Sequence, residues 1–175
     1  MDIRYLKGVG EKRAAQLARL GIRTVDDLLG FYPRDYVDYS HPYPVAGAPY
    51  DVKCVVRATV YGKNGGARIR GGRQMAKATA GDDTAGLILT YFNNPYALQK
   101  LEVGREYLFF GKVGGTFTAR EMVNPVMLTV ESAAASPLVP VYPQTEGVSS
   151  AYLAKCVRAA FALSLIHISE PTRRR

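Results

Sequence analysis

The sequence predicts an α+β fold: a five-stranded β-barrel preceded by a small helical segment and followed by a short helix. Three observations predict it. Apolar residues fall at helical spacing within residues 5–31, YLKGVGEKRAAQLARLGIRTVDDLLGF. The period changes to two at residue 51 and holds through short stretches bounded by glycines and turn residues. Helical spacing returns in AYLAKCVRAAFAL, after the proline-containing LVPVYPQTEG.

At the N-terminus, Gly8 and Gly10 set a tight turn, and residues 11–20 carry Ala14, Leu17, Ala18 and Leu20 at helical spacing. Gly21 is a natural stop. Thr24, with Asp27 three residues on, is close to a capping box for a helix over residues 25–31, which ends before Pro33. Residues 32–50, YPRDYVDYSHPYPVAGAPY, form a connector whose prolines forbid regular helix. In DVKCVVRATVY, Val52, Cys54, Val56, Ala58 and Val60 share one face, and Lys53, Arg57, Thr59 and Tyr61 share the other. Residues 62–72 are a glycine-rich loop, residues 74–80 and 85–92 two further strands, and residues 95–101 a short helical turn. Residues 106–113 and 117–124 complete a hairpin around Gly114 and Gly115. Five strands with a helix between the third and fourth is the order of an OB-fold barrel. The expected divisions are a helix-hairpin-helix-like segment over 1–31, the connector over 32–50, the barrel over 51–130, a linker over 131–148 and a helix over 149–162.

Residues 163–173, LSLIHISEPTR, break the helical pattern. At the DNA level they resemble the translation of a transposase-type sequencing adapter. The natural sequence is therefore expected to be truncated near Ala162, with residues 163–175 an artefactual tail and His167 and the terminal arginines without functional role.

The net charge of +8 favours a polyanionic partner, nucleic acid first and an anionic membrane surface second, although an inert basic surface accounts for it equally. Cys54 and Cys156 lie far apart in apolar patterns, which excludes a disulfide framework or a cysteine metal site and suits core thiols in a reducing cytosol. No apolar run approaches the roughly 18 residues of a membrane helix. No catalytic constellation or metal site is expected: a Gly-rich Lys-Ser/Thr phosphate loop is absent, His41 reads as a surface histidine, and Asp82 and Asp83 read as a turn.

Binding features are stronger. From Arg57 to Ala80 the basic residues Arg57, Lys63, Arg68, Arg70, Arg73 and Lys77 occur with no acidic one. Arginines on a flexible glycine backbone approach phosphates closely and pair with them through two hydrogen bonds; a solvated hairpin loop is the bland reading. The second feature is LKGVG before a helix. Lys7, Gly8, Gly10 and Lys12 resemble the hairpin of a helix-hairpin-helix phosphate contact with its preceding helix missing, and a purely structural turn fits as well. The third is YFNNPY, where Phe92 and Tyr96 bracket two asparagines and a proline at a strand end. A ring on such a surface stacks on a base with about 1–3 kcal/mol. The alternative is that one ring caps the barrel and the other packs on the connector.

Several strings combine into a resemblance. LKGVGEKRAAQLARLGIRTVDDLLGFYPRDYVDYS, GGRQMAKATAGDDTAGLILTYFN, the glycine hairpin ending in MVNP, and PVYPQTEGVSSAYLAKCV resemble the N-terminal part of the RecG family of bacterial ATP-dependent DNA helicases, over residues 3–160. The resemblance implies a wedge domain that docks at the branch point of stalled forks and Holliday junctions in recombination and repair. It implies that Phe92 and Tyr96 stack on bases at the branch. The basic residues of the Arg68–Arg73 loop (Arg68, Arg70, Arg73) match the family's positive wedge surface, and Lys63 and Lys77 are expected as phosphate contacts beside them. It further implies an enzyme only as the full-length helicase, with ATP and magnesium bound by a motor that the helix over 149–162 leads to, and no cofactor or activity in these residues. Branched DNA is the implied partner, with single-strand-binding protein as a second, no membrane, a monomeric state and a bacterial cytoplasmic, nucleoid-associated location. Two other readings stay open: a stand-alone OB-fold binder of single-stranded nucleic acid, and an interaction domain whose basic surface meets an acidic protein.

Overall fold

A computed structural model describes residues 1–68, 74–145 and 147–168. The chain divides into two units, one built from residues 1–37 together with those from 139 onward, the other from Asp38–Leu138. In chain order the elements are a 3-10 turn (Ile3–Tyr5), α1 (Glu11–Ala18), α2 (Val25–Leu29), β1 (Asp35–Asp38), β2 (Lys53–Arg68), β3 (Gln74–Gly81), β4 (Gly86–Phe92), α3 (Pro95–Lys100), β5 (Glu106–Gly115), β6 (Arg120–Val123), β7 (Val126–Thr129), α4 (Val130–Ala135), β8 (Leu138–Val141) and α5 (Ser150–Ile168).

The barrel closes through the order β2-β3-β4-β6-β5, with β5 returning to pair with β2. This is the expected OB-fold order, with α3 between the third and fourth strands. Cys54, Val56, Ala58 and Val60 are buried along β2, as their alternation requires, and meet Leu89, Tyr91, Phe109 and Met122 in one core. Val52 lies outside the strand and is exposed.

Several elements differ from expectation: β1 falls in the expected connector, α4 and β8 in the expected linker, and three more differ in the barrel. β2 does not stop at Tyr61 but runs to Arg68, pairing Asn64 with Lys77 and Arg68 with Gln74. Its register is irregular between Val60 and Gly62 and between Asn64 and Ala67, where glycines without side chains absorb the bulges and hide the alternation. The last hairpin strand begins at Arg120, after a turn in which Gly115 has φ +85° and a Cβ would meet the Ala119 carbonyl. A sixth strand, β7, pairs antiparallel with β5 outside the closed ring. The connector is held in place by Arg120, a buried arginine that donates to the carbonyls of Ala48 (2.8 Å) and Ala46 (2.7 Å) and lies 4.6 Å from the Tyr50 ring centre. Asp82 accepts from the backbone N–H groups of Val45, Thr84 and Ala85, a turn and anchoring role rather than an acid–base one.

The helical segment and the final helix, expected as separate pieces, share one core. Ile3, Leu6, Leu17 and Leu28 pack with Leu153, Cys156 and Ala160 of α5. Each piece alone is too short to bury its apolar side, so the two ends of the sequence supply each other's missing surface. The capping box of α2 is complete: Thr24 accepts from Asp27 N–H, and the Asp27 carboxylate accepts from Thr24 N–H. The helix preceding Lys7 is a single 3-10 turn. α5 continues past Ala162 into the adapter-like residues, which contain no helix breaker before Pro171, and Leu163 packs against the core.

Candidate nucleic-acid interface

The residues of YFNNPY divide into separate tasks. Tyr91 points into the barrel core and is 2% exposed. Phe92, the next residue, faces outward opposite Met75 of β3 and is half-buried. Asn93 turns the chain with φ +53°, a conformation asparagine tolerates, while its side chain accepts from Gln74 N–H at 3.2 Å. Asn94 caps α3 by accepting from Ala97 N–H, and Pro95 occupies the first helical turn, where its missing N–H costs nothing. Asn124, just after β6, holds the same strand end, its side chain accepting from Phe92 N–H at 2.8 Å and its backbone N–H donating to the Thr90 carbonyl at 2.7 Å. The outcome is that Tyr96 stands on α3 at 70% exposure.

α3 is fixed at both ends. Ala97 and Leu98 pack on the barrel core, and Leu101 just beyond is fully buried. The Lys63 ammonium donates to the Leu101 carbonyl at 2.5 Å and reaches the Leu98 carbonyl at 3.5 Å. A cation there satisfies carbonyls the helix leaves open and complements its negative end. The Tyr107 hydroxyl accepts from Glu102 N–H (3.0 Å) and donates to the Lys100 carbonyl (3.4 Å).

The expected phosphate ligands are placed unequally. Lys63 is engaged by α3. Lys77 lies 3.8 Å from Glu121, whose carboxylate also accepts from the Thr90 hydroxyl. Arg68 is the last residue of β2, and Arg70 and Arg73 fall outside the described residues. Lys7, Gly8, Gly10 and Lys12 belong to the helical unit, not to the barrel. All four are exposed. Gly8 has φ +92°, its carbonyl accepts from the Tyr152 hydroxyl at 3.0 Å, and Gly10 opens α1 without a side-chain cap. Arg13 lies over the Tyr152 ring at 4.6 Å. Sequence reasoning passed over Lys100, exposed and four residues after Tyr96; the spacing of one helical turn was the available signal.

The sequence pattern of the RecG wedge domain matches residues 2–164. The chain belongs to the RecG wedge domain family. The ATP-dependent DNA helicase RecG of Escherichia coli is 34% identical over 165 residues, covering 90% of this chain and 23% of that protein. The Thermotoga maritima protein of the same name is 31% identical over 160 residues, covering 88% and 20%. A solved structure of RecG bound to a three-way DNA junction superposes with a TM-score of 0.76 at 27% identity, covering 90% of this chain and 22% of that one. The chain thus spans under a quarter of the length of these relatives.

Proposed function

We propose that this RecG wedge domain binds branched DNA at the branch point, as part of an ATP-dependent helicase that remodels stalled replication forks and Holliday junctions in recombination and repair. The observation that carries the reading is α3: a short helix pinned at both ends that presents Tyr96 to solvent, next to a strand end that turns Phe92 out of the core. A protein of this class with two rings held outside a packed barrel has surface that serves a flat apolar partner, and an unpaired base is one. Relatives named as DNA helicases, and a relative solved on a three-way junction, support the same reading.

The mechanism is steric. A motor draws duplex past the barrel; Phe92 and Tyr96 stack on the bases exposed at the fork and oppose re-pairing. Arg68, Arg70 and Arg73 grip the backbone by charge, and the exposed Lys7–Gly8 and Gly10–Lys12 turn offers a second backbone contact in the helical unit. Lys63 supports the platform through the Leu98 and Leu101 carbonyls, and Lys77 is held by Glu121. In the full-length helicase, ATP hydrolysis assisted by magnesium would supply the pulling force. A Gly-rich Lys-Ser/Thr phosphate-binding loop does not occur in the sequence, and the described residues contain no group of three metal-ligating side chains. The protein acts as a monomer in the bacterial cytoplasm at the nucleoid, with single-strand-binding protein as a further partner; among the described residues no helix is long and apolar enough to cross a membrane.

Affinity for a three-way branched DNA and for a linear duplex of equal length, at one fixed salt concentration, tests this. Phe92→Ala and Tyr96→Ala are each expected to lower branch affinity about 5- to 150-fold, the equivalent of 1–3 kcal/mol per stacked base, while leaving weak duplex binding in place. Equal binding of branch and duplex by the unsubstituted chain, with substitutions that lower only thermal stability, would sink the reading.

A further inference from the structure

We infer that Lys100 is the phosphate-binding partner of Tyr96, so that the outer face of α3 holds one nucleotide by its base and its backbone together; this rests on the reading of Tyr96 as a stacking ring. Residues four apart on a helix lie on one face, with Cβ atoms about 5–6 Å apart. Helical side chains lean toward the N-terminus, so the Lys100 stem lies back over the turn that carries Tyr96. A base stacked on the exposed ring places its flanking phosphate within reach of that ammonium.

A lysine in the last turn of a helix ordinarily complements the negative end of the helix. Here that place is taken, because Lys63 already donates to the Leu98 and Leu101 carbonyls. The nearest carboxylate along the chain is taken as well, since Glu102 is 3.3 Å from Arg105. Glu106, the next carboxylate along the chain, is 3.0 Å from Arg57, and Arg105 also reaches Glu131 at 3.3 Å. Lys100 is exposed and its ammonium has no ion pair among the described residues, next to the most exposed ring on the platform. In the barrel Arg57, Lys77, Arg105 and Lys112 are each matched to a carboxylate. An unmatched cation one turn from an unmatched ring marks the point where an external anion with an attached base fits.

The test uses the whole chain and the same three-way branched DNA, with affinity measured across a salt series for Lys100→Ala, Lys100→Arg, Tyr96→Ala and the double variant Tyr96→Ala/Lys100→Ala. Lys100→Ala is expected to weaken branch binding by ~3–10-fold and to reduce the slope of log K against log salt by about 1. Lys100→Arg is expected to restore both. In the Tyr96→Ala background the Lys100→Ala change is expected to cost less than ~2-fold, because both groups hold one nucleotide. An unchanged slope in Lys100→Ala, while Tyr96→Ala still abolishes branch preference, overturns the inference and leaves the wedge reading standing. A lowered melting temperature with an unchanged slope likewise overturns it, assigning Lys100 to the helix end. Branch preference that survives Tyr96→Ala removes the reading on which the inference depends.

Discussion

Tyr91 and Phe92 are adjacent, both aromatic, and opposite in physical situation. The Tyr91 hydroxyl is buried with no hydrogen-bond partner among the described residues, and burial pushes its pKa up to about 12. A buried unsatisfied polar group costs about 1–3 kcal/mol, so Tyr91→Phe is expected to raise the melting temperature, corresponding to roughly 1 kcal/mol; a lower melting temperature would show that the hydroxyl has a partner after all. The pH dependence has a definite sign. The folded pKa lies above the ordinary tyrosine value near 10, so this group's contribution to stability is complete below pH ~10 and is lost as pH rises through about 12. Melting curves between pH 9 and 12 should therefore fall less steeply in Tyr91→Phe. Some fall persists, because burial also raises Tyr39 to about 12.

At the scale of the element, α3 is a six-residue helix that would not persist alone, and its seating depends on a residue distant in sequence. Lys63→Met keeps the apolar stem and removes the ammonium. A charge-assisted hydrogen bond contributes about 1.5–3 kcal/mol, less where it is partly solvated, so a loss of ~1 kcal/mol in denaturant unfolding is expected. Branch affinity should drop with an unchanged salt slope, the opposite signature to Lys100→Ala. This element also shows where sequence reading reaches its limit. The alternation of Cys54, Val56, Ala58 and Val60 and the Thr24–Asp27 capping box follow from local rules and were legible, whereas the exposure of Tyr96 was implied only by the family resemblance. The Lys63 contact with Leu98 and Leu101, and the Arg120 contact with Ala46 and Ala48, cross 35 or more residues and leave no periodic trace. The sequence therefore showed Lys63 only as a candidate phosphate ligand and not as the anchor of α3. The glycines of β2 erased the strand pattern that its pairing with β3 restores.

At the scale of the whole molecule, the helical unit is discontinuous in sequence, and Leu153 of α5 is fully buried among residues from the first 28. Leu153→Ala is expected to cost about 2–5 kcal/mol within that unit. Amide exchange should rise in residues 3–28 as well as in α5; a rise confined to α5 would refute the shared core. The same discontinuity sets an order of events during synthesis. The barrel closes within about 60 residues, the separation of Lys53 from its β5 partner Lys112, whereas Ile3, Leu6, Leu17 and Leu28 leave the ribosome on the order of a hundred residues before α5, a delay of roughly 5–20 s at typical elongation rates. For that interval the first apolar surface of the nascent chain has no mate, which makes it a client for a holding chaperone, and slow codons placed between the barrel and α5 would lengthen its exposure without changing a single native contact.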